Sequence, residues 1–362
     1  MRRYDIVPAG ARDDAALRAR MAADWMRGSL SLSFRREPSY FAGCALQGDN
    51  AQVYKCIDTV TGEVVGMAAR LMTRLYVNGA LRRVGVLSDL RLAAAARGGT
   101  LVARGYRVLR AMHAADPVDF YVTVIFEGNR AALDTLPSGR AGLPTYRDFG
   151  RMLTPALHLD LPRPPLPVAG VFFRRATAAD ADALREHLAA SAARRQLAPD
   201  YAHLPPGLNV GDFFVAERGS RLVACVAAWD QRALRQTHVE AYSAGLAVLR
   251  PIYNAAARIL PVKPLPAPGE CVPYLYFSGV GLVEDDLSVW RGLLRHVYRE
   301  VRRGPWHYAI AALHERDPLA AVLAEYRAVR TAGRIFVVHY EDGAEAVSRL
   351  DARPPYLDMA RM

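Results

Sequence analysis

The sequence predicts a two-domain α/β protein, and three observations carry that expectation. A Pro-rich run, Leu161-Pro162-Arg163-Pro164-Pro165-Leu166-Pro167, divides the chain near its middle and reads as a semi-rigid connector. The order strand, helix, antiparallel strand pair opens the chain and returns after the connector. The spacing is about 170 residues, as in a tandem copy. Each copy then reaches an apolar strand followed by a helical segment, within Val84–Arg110 in the first and Tyr274–Val301 in the second. A chain of 362 residues, 52% hydrophobic and 23% charged, is comfortable as two globular domains.

In the first copy, Tyr4-Asp5-Ile6-Val7 reads as a strand. Ala11–Met26 reads as a helix, with Leu17, Met21 and Trp25 at helical spacing. Pro38-Ser39-Tyr40-Phe41 reads as a loop and Gly43–Gln47 as a helix end. Exposed aromatic residues there would either pack under the loop or contribute to an acceptor pocket. Val53–Asp58 and Glu63–Tyr76 read as strands joined through Thr61-Gly62.

The next stretch organises the chain. Val84–Leu92 is apolar apart from Ser88, Asp89 and Arg91, a small-residue run ends in Arg97-Gly98-Gly99, and a helix resumes with Leu101, Val102, Tyr106, Val108 and Leu109. A turn from strand to helix aims unpaired backbone N–H groups at an anion. Gly98 and Gly99 admit a ligand close to the backbone, and Arg97 adds a charge. A pyrophosphate cradle is one reading and an ordinary turn is the other. His113, after this helix, reads as a surface residue. Phe120–Phe126 reads as a buried strand ending in Glu127. A carboxylate there would act as a general base, or would simply favour the following helix start. Asp89 carries the same pair of roles, base or structural.

These segments, in this order, resemble the GNAT superfamily of acyl-CoA-dependent N-acyltransferases. Tyr76-Val77-Asn78-Gly79 with Leu81–Leu87 is similar to the hairpin before that family's central strand, and Asn-Gly is a hairpin turn signal. Ala96-Arg97-Gly98-Gly99-Thr100-Leu101 resembles the family's phosphate loop, and Glu127-Gly128-Asn129-Arg130-Ala131-Ala132 its Asn-x-x-Ala helix start. The resemblance implies two tandem GNAT-like halves, each a mixed, mostly antiparallel sheet flanked by helices. It implies that the central strand and the next one splay to admit the pantetheine arm of acetyl-CoA or another acyl-CoA. Leu90, Arg91, Leu92, Arg97, Gly98, Gly99, Thr100 and Leu101 would then line the cofactor, with Asn129 facing its arm. Glu127 or Asp89 would take the amine proton. Thr100 and Val102 stand where the family has smaller residues, and Leu136 stands where it often has a general-acid Tyr. The acid would then be absent or supplied elsewhere, with Tyr146 as candidate.

The second copy begins at Val171–Thr177, a strand ending in a helix cap. A helix, Ala178–Arg195, and strands Phe213–Glu217 and Arg221–Trp229 follow. Tyr274–Leu282 reads as its central strand, Leu287–Val301 as the following helix and Trp306–Leu313 as the next strand. Pro318–Tyr326 and Arg334–Tyr340 complete the order. Its loop is acidic, Gly281-Leu282-Val283-Glu284-Asp285-Asp286, which favours a helix start but repels pyrophosphate. The expected division is therefore 1–161, an acyl-CoA-binding domain; 162–169, the connector; and 170–362, a degenerate copy. The last carries a helical insertion over about 231–270, with Leu234, Val239, Tyr242, Leu246, Leu249 and Tyr253 in one apolar stripe. With Arg232, Arg235, Arg250 and Arg258, that stretch reads as a helix packed on the domain or on a partner subunit, or as a membrane contact. His238 falls on it, and with His307 reads as structural.

Composition narrows the classes. The net charge is +11, yet the cations are almost all Arg, spread in pairs rather than tracts. A basic surface suits an anionic cofactor without requiring nucleic acid. No DNA partner is expected. No run of 18 apolar residues occurs, and the N-terminus turns acidic before any apolar segment, so the cytoplasm is the expected compartment. Cys44, Cys56, Cys225 and Cys271 lack metal-ligand spacing, and no metal is expected. The expected activity is acyl transfer to an amine of a small molecule or protein, with a homodimer compatible. Two rivals stand beside it: a Fem-type aminoacyl-tRNA-dependent transferase, the one reading with a tRNA partner, and a non-catalytic acyl-CoA-binding scaffold.

Overall fold

Runs rich in Val, Ile, Leu and Ala favour strands that are buried on both faces, and they assemble here into two large mixed sheets. The computed structural model describes residues 3–140, 142–282 and 284–362. Val283 of the acidic loop lies outside the described residues. The first sheet has the hydrogen-bonded order Tyr4–Pro8, Asp49–Asp58, Val64–Val77, Ala80–Leu92, Tyr121–Phe126, Ala332–His339, Thr145–Leu153, Leu313–His314. The second runs Phe172–Arg175, Phe213–Arg218, Arg221–Trp229, Tyr274–Leu282, Tyr308–Ala311, Ala156–His158, Ala328–Val329. Within each sheet the ladders are antiparallel except one, the central strand against the next. The mixed, mostly antiparallel architecture is therefore present in both sheets.

The order of strands shows a feature that no local pattern announces. Ala332–His339, near the chain's end, lies between Tyr121–Phe126 and Thr145–Leu153 of the first sheet. Reciprocally, Ala156–His158, just before the Pro-rich connector, lies between Tyr308–Ala311 and Ala328–Val329 of the second. The first sheet also takes Leu313–His314 and Ala198–Pro199 from beyond the connector, so the hydrogen bonding crosses the connector in both directions.

Local chemistry explains most elements. Asn78 and Gly79 both take positive φ, 52° and 83°, as a two-residue hairpin turn of the primed type requires. The helix Leu287–Val301 buries Trp290, Leu293, Leu294, Val297 and Val301 on one face. Each such side chain contributes about 1.5–3 kcal/mol. The helix expected over Ala11–Met26 ends at Ala22, because Trp25–Met26 pairs as a strand with Leu30–Arg35. That pairing also corrects the helical insertion. Gln236–Tyr242 is a strand antiparallel to Leu30–Arg35, and the helix begins only at Ala244 and runs to Ala256. His238 accordingly sits on a strand, its Nδ1 bonded to the Gly269 carbonyl at 2.8 Å. A ladder partner supplied by a distant segment has overridden the helical spacing.

Burial decides several side-chain environments. His113 is not at the surface. It is 6% exposed, held by the Tyr121 hydroxyl at 2.8 Å and the Asp342 carboxylate at 2.9 Å. Tyr40 is fully buried, the packing alternative for that loop. Cys56 and Cys225 are core residues, as is Cys44, while Cys271 is only partly buried.

The strand exchange makes a prediction. A fragment of residues 1–161 lacks the strand that fills the middle of its sheet, so it is expected to show no cooperative thermal or urea transition when expressed alone. Co-expression with residues 162–362 should restore one. A cooperatively unfolding 1–161 fragment, followed by circular dichroism, would contradict this.

Candidate functional site

The two central strands of the first sheet meet over only two residue pairs, Gly85 with Tyr121 and Val86 with Val122. A Cβ on Gly85 would run into the Tyr121 ring, so the bare glycine is what lets the strands touch there. Beyond Val86 they separate. Thr123–Phe126 continues to pair with Ala332–His339 on its other side, while Leu87–Leu92 stays with Val64–Val77. The separation coincides with a bulge. Ala69 pairs with Ser88 and Met67 with Arg91, so Asp89 and Leu90 together face a single residue. Asp89 takes φ 56°, a left-handed conformation that Asp tolerates better than most residues.

The Asp89 side chain is tied down on several sides. Arg36 Nη2 donates to it at 2.7 Å and the Tyr40 hydroxyl at 2.9 Å. The same guanidinium donates to Cys44 Sγ at 2.9 Å and to Gln47 Oε1 at 2.7 Å. Burial works to raise the Asp89 pKa, but the charge of Arg36, aided by Arg91 and the Tyr40 hydrogen bond, holds it below the usual carboxylate range. An ionised carboxylate so committed is a weak proton acceptor. It anchors the bulge.

Beyond the bulge, Leu90 is exposed, Arg91 approaches Asp24 at 3.8 Å, and the Leu92 carbonyl accepts from Arg97 Nε at 2.9 Å. The loop that follows is open. Gly98 has φ 82°, and a Cβ on Gly98 or Gly99 would meet nothing within 4 Å. Leu101 anchors the helix Leu101–Ala115 by packing against Cys56 and Ala96, and Thr100 precedes it without capping it through its side chain. The first-turn N–H groups of a 15-residue helix therefore face an uncrowded loop, the arrangement that binds phosphate. Asn129 is spent differently from expectation. Its side chain accepts from the Ala132 N–H at 3.3 Å and caps the short helix Arg130–Thr135.

Glu127 follows the strand that forms the far wall of the gap. Arg151 grips it through two hydrogen bonds, 2.6 and 2.9 Å, and that contact holds its carboxyl below the usual range. The pair is part-exposed, so water screens it. Tyr146 does not point at the bulge. Its phenol bonds to that of Tyr106 beneath the helix Leu101–Ala115, in the cluster that includes Leu136 and Phe336. Burial, together with Tyr106, lifts the Tyr146 pKa well above the ordinary phenol value, and burial pushes Tyr106 up to about 12. The structure thus gathers Leu90, Arg91, Leu92, Arg97, Gly98, Gly99, Thr100, Leu101 and Asp89 along one edge and Glu127 on the opposite strand. Tyr146 is set apart.

The second sheet repeats the geometry and fills it. Ala227 pairs with Ser278 and Cys225 with Gly281, which leaves a bulge at Gly279, φ 58°. The donors at this bulge are occupied by the protein's own side chains. Asp358 accepts from Ser278 Oγ at 2.6 Å and the Gly279 N–H at 3.0 Å. The Val280 N–H donates to the Tyr356 hydroxyl at 2.9 Å, and the Leu282 N–H to Ser191 Oγ at 3.0 Å. The helix start is also closed, because the Asp286 carboxylate accepts from the N–H groups of Ser288 and Val289. Among the described residues no side chain accepts from the N–H groups of Leu87–Leu92. Sequence reasoning anticipated Asp286, but not Arg36, Tyr40 or Gln47 around Asp89, nor Tyr356 and Asp358. Those groups come from segments far apart in the chain and carry no spacing signal. Among the described residues no group of three or more His, Cys, Asp or Glu is placed to hold a metal ion. No helix among them is long and apolar enough to cross a membrane.

The Arg36–Asp89 pair sets an expectation for stability. Asp89→Asn leaves a buried guanidinium without its counter-charge, which should cost about 3–5 kcal/mol in urea unfolding at neutral pH. The Asp89 pKa is depressed on folding, so its stabilisation is complete above about pH 4 and is lost as pH falls through the lower folded-state value. The gap between wild type and Asp89→Asn should therefore narrow in acid; a gap independent of pH would show that the charge is not what matters.

Comparison with known proteins agrees with this geometry. No protein-family profile matches the sequence, and no curated protein matches it in sequence. Solved structures do match. Saccharomyces cerevisiae N-myristoyltransferase with bound myristoyl-CoA superposes with a TM-score of 0.61 at 10% identity, over 94% of this chain and 84% of that one. A GCN5-related N-acetyltransferase from Sphaerobacter thermophilus gives 0.58 at 13% identity, over 100% and 99%. A conserved protein of unknown function from Enterococcus faecalis V583, described as a probable N-acyltransferase, gives 0.52 at 9% identity, over 94% and 74%. With the splayed central strands, the bulge and the open phosphate-type loop, these matches establish that the chain has the GNAT fold.

Proposed function

We propose that the protein is an acyl-CoA-dependent N-acyltransferase whose first sheet binds acyl-CoA and whose second sheet is a closed copy that shapes the acceptor side. The observation that carries this is the contrast between the two helix starts. One lies open behind Gly98-Gly99, and the other is filled by Asp286. The fold match to an N-myristoyltransferase holding myristoyl-CoA supports an acyl-CoA as co-substrate.

In this reading the N–H groups from Gly98 to Val102 hold the pyrophosphate. The pantetheine arm lies in the gap between Leu87–Leu92 and Thr123–Glu127. A backbone N–H near Leu90–Leu92 polarises the thioester carbonyl. The amine nitrogen adds to the thioester carbonyl, and collapse of the tetrahedral intermediate breaks the C–S bond and releases CoA as a thiolate, which takes a proton from water. The amine proton passes to Glu127, directly or through water. Asp89, engaged with Arg36, positions the bulge rather than accepting the proton. A short acyl group fits best, because Tyr106, Tyr146, Phe336 and Tyr340 fill the space beneath the helix. Acetyl-CoA is therefore the proposed donor.

Two measurements test this. Calorimetric titration with acetyl-CoA should give one site per chain. Gly99→Asp, which imitates the carboxylate of the closed copy without steric cost, should weaken binding at least about tenfold. Acetyl-CoA should release free thiol faster than myristoyl-CoA when an amine acceptor is present. No binding of either acyl-CoA would remove the proposal. In turnover, Glu127→Gln should lower kcat about 100-fold or more while leaving CoA affinity intact; an unaltered kcat would take the base role from Glu127.

A further inference from the structure

The helix Ala244–Ala256 runs for 13 residues with none of them buried. Its inner side is held by polar bonds. Arg250 Nε donates to the carbonyls of Leu265 and Pro266, and Asn254 Nδ2 to that of Leu265. Its outer side is apolar. Val248 is 73% exposed, Leu249 57% and Ile252 68%, and the turn that follows adds Ile259 at 88% and Leu260 at 55%. Single exposed hydrophobics are ordinary, but five large ones on one short segment form a patch that calls for an occupant.

The surrounding charge identifies the occupant. From Ala241 to Gly269 the chain contains no Asp or Glu; of its three cations Arg258 is exposed, while Arg250 and Lys263 are turned to backbone carbonyls. Lys263 bonds to the carbonyls of Arg302 and Gly304, which brings the patch beside the exposed Arg303. A second copy of this chain is a poor fit, since a two-fold contact would set each cationic rim against its equivalent. An anionic lipid surface matches both features at once, with apolar side chains entering the acyl boundary and guanidinium groups at the headgroups.

We propose that the segment from Ala244 to Leu260 docks the protein peripherally on anionic membranes. The strand that leads into it pairs with Leu30–Arg35, and the next residue, Arg36, holds Asp89. The docking element is thus connected, through that strand pair, to the residue that holds the bulge. The inference stands independently of the acyl-transfer reading.

The test is co-sedimentation of the full chain with vesicles of mixed phosphatidylglycerol and phosphatidylcholine, beside pure phosphatidylcholine. Binding is expected to the mixed vesicles, to weaken with salt, and to fall at least about tenfold in Leu249→Glu/Ile252→Glu. Both side chains are exposed, so that variant should keep the wild-type thermal transition. Absence of binding to the anionic vesicles, or binding unaffected by the double substitution, would overturn the proposal. So would a wild-type dimer in sedimentation velocity that the substitution dissolves, since a second copy would then cover the face.

Discussion

Much of this structure depends on one buried ion pair, Arg36 with Asp89. The central strand could continue in register beside Tyr121–Phe126, and the gap would then close. The bulge at Asp89 and Leu90 turns it away instead. A non-glycine residue at φ 56° carries strain, and a buried charge carries a desolvation cost. Both are offset because the carboxylate receives Arg36 and Tyr40 together, while the same guanidinium also reaches Cys44 and Gln47. The residues that shape the gap are therefore held by a segment before the first long strand of the sheet, outside the strands that form the walls.

The two sheets show the same device used in two ways. Each has a bulge with a left-handed residue after a serine, Ser88-Asp89 in one and Ser278-Gly279 in the other. In the second, Ser191, Tyr356 and Asp358 take up the bulge donors and Asp286 takes up the helix start. A backbone N–H satisfied within the protein has little to offer a ligand. The difference between the two bulges is thus one of donor occupancy, with the strand geometry retained.

Strand exchange in both directions couples the two sheets. Ala332–His339 supplies the wall behind Tyr121–Phe126, so the far side of the gap is built in part from the end of the chain. The basic composition also acquires a location. Many of the arginines are consumed in ion pairs, such as Arg174 with Asp180 and Glu217, and Arg195 with Asp285 and Asp317. Around the helix Ala244–Ala256 they stand without acidic neighbours in sequence.

The sequence by itself determined the opening strand, the hairpin at Asn78-Gly79, the glycine loop before Leu101 and the acidic start of the helix Leu287–Val301. Each of these is a local matter of backbone conformation, side-chain period or charge within a few residues, so it is written in adjacent letters. Only the tertiary structure decided that Gln236–Tyr242 is a strand, that the sheets exchange strands, and that Asp89 is bound to Arg36 while Tyr146 lies under a helix. Those outcomes depend on partners scores to hundreds of residues away. Ladder hydrogen bonds and buried ion pairs take their energy from whichever group packing brings within reach, and no spacing along the chain records that choice.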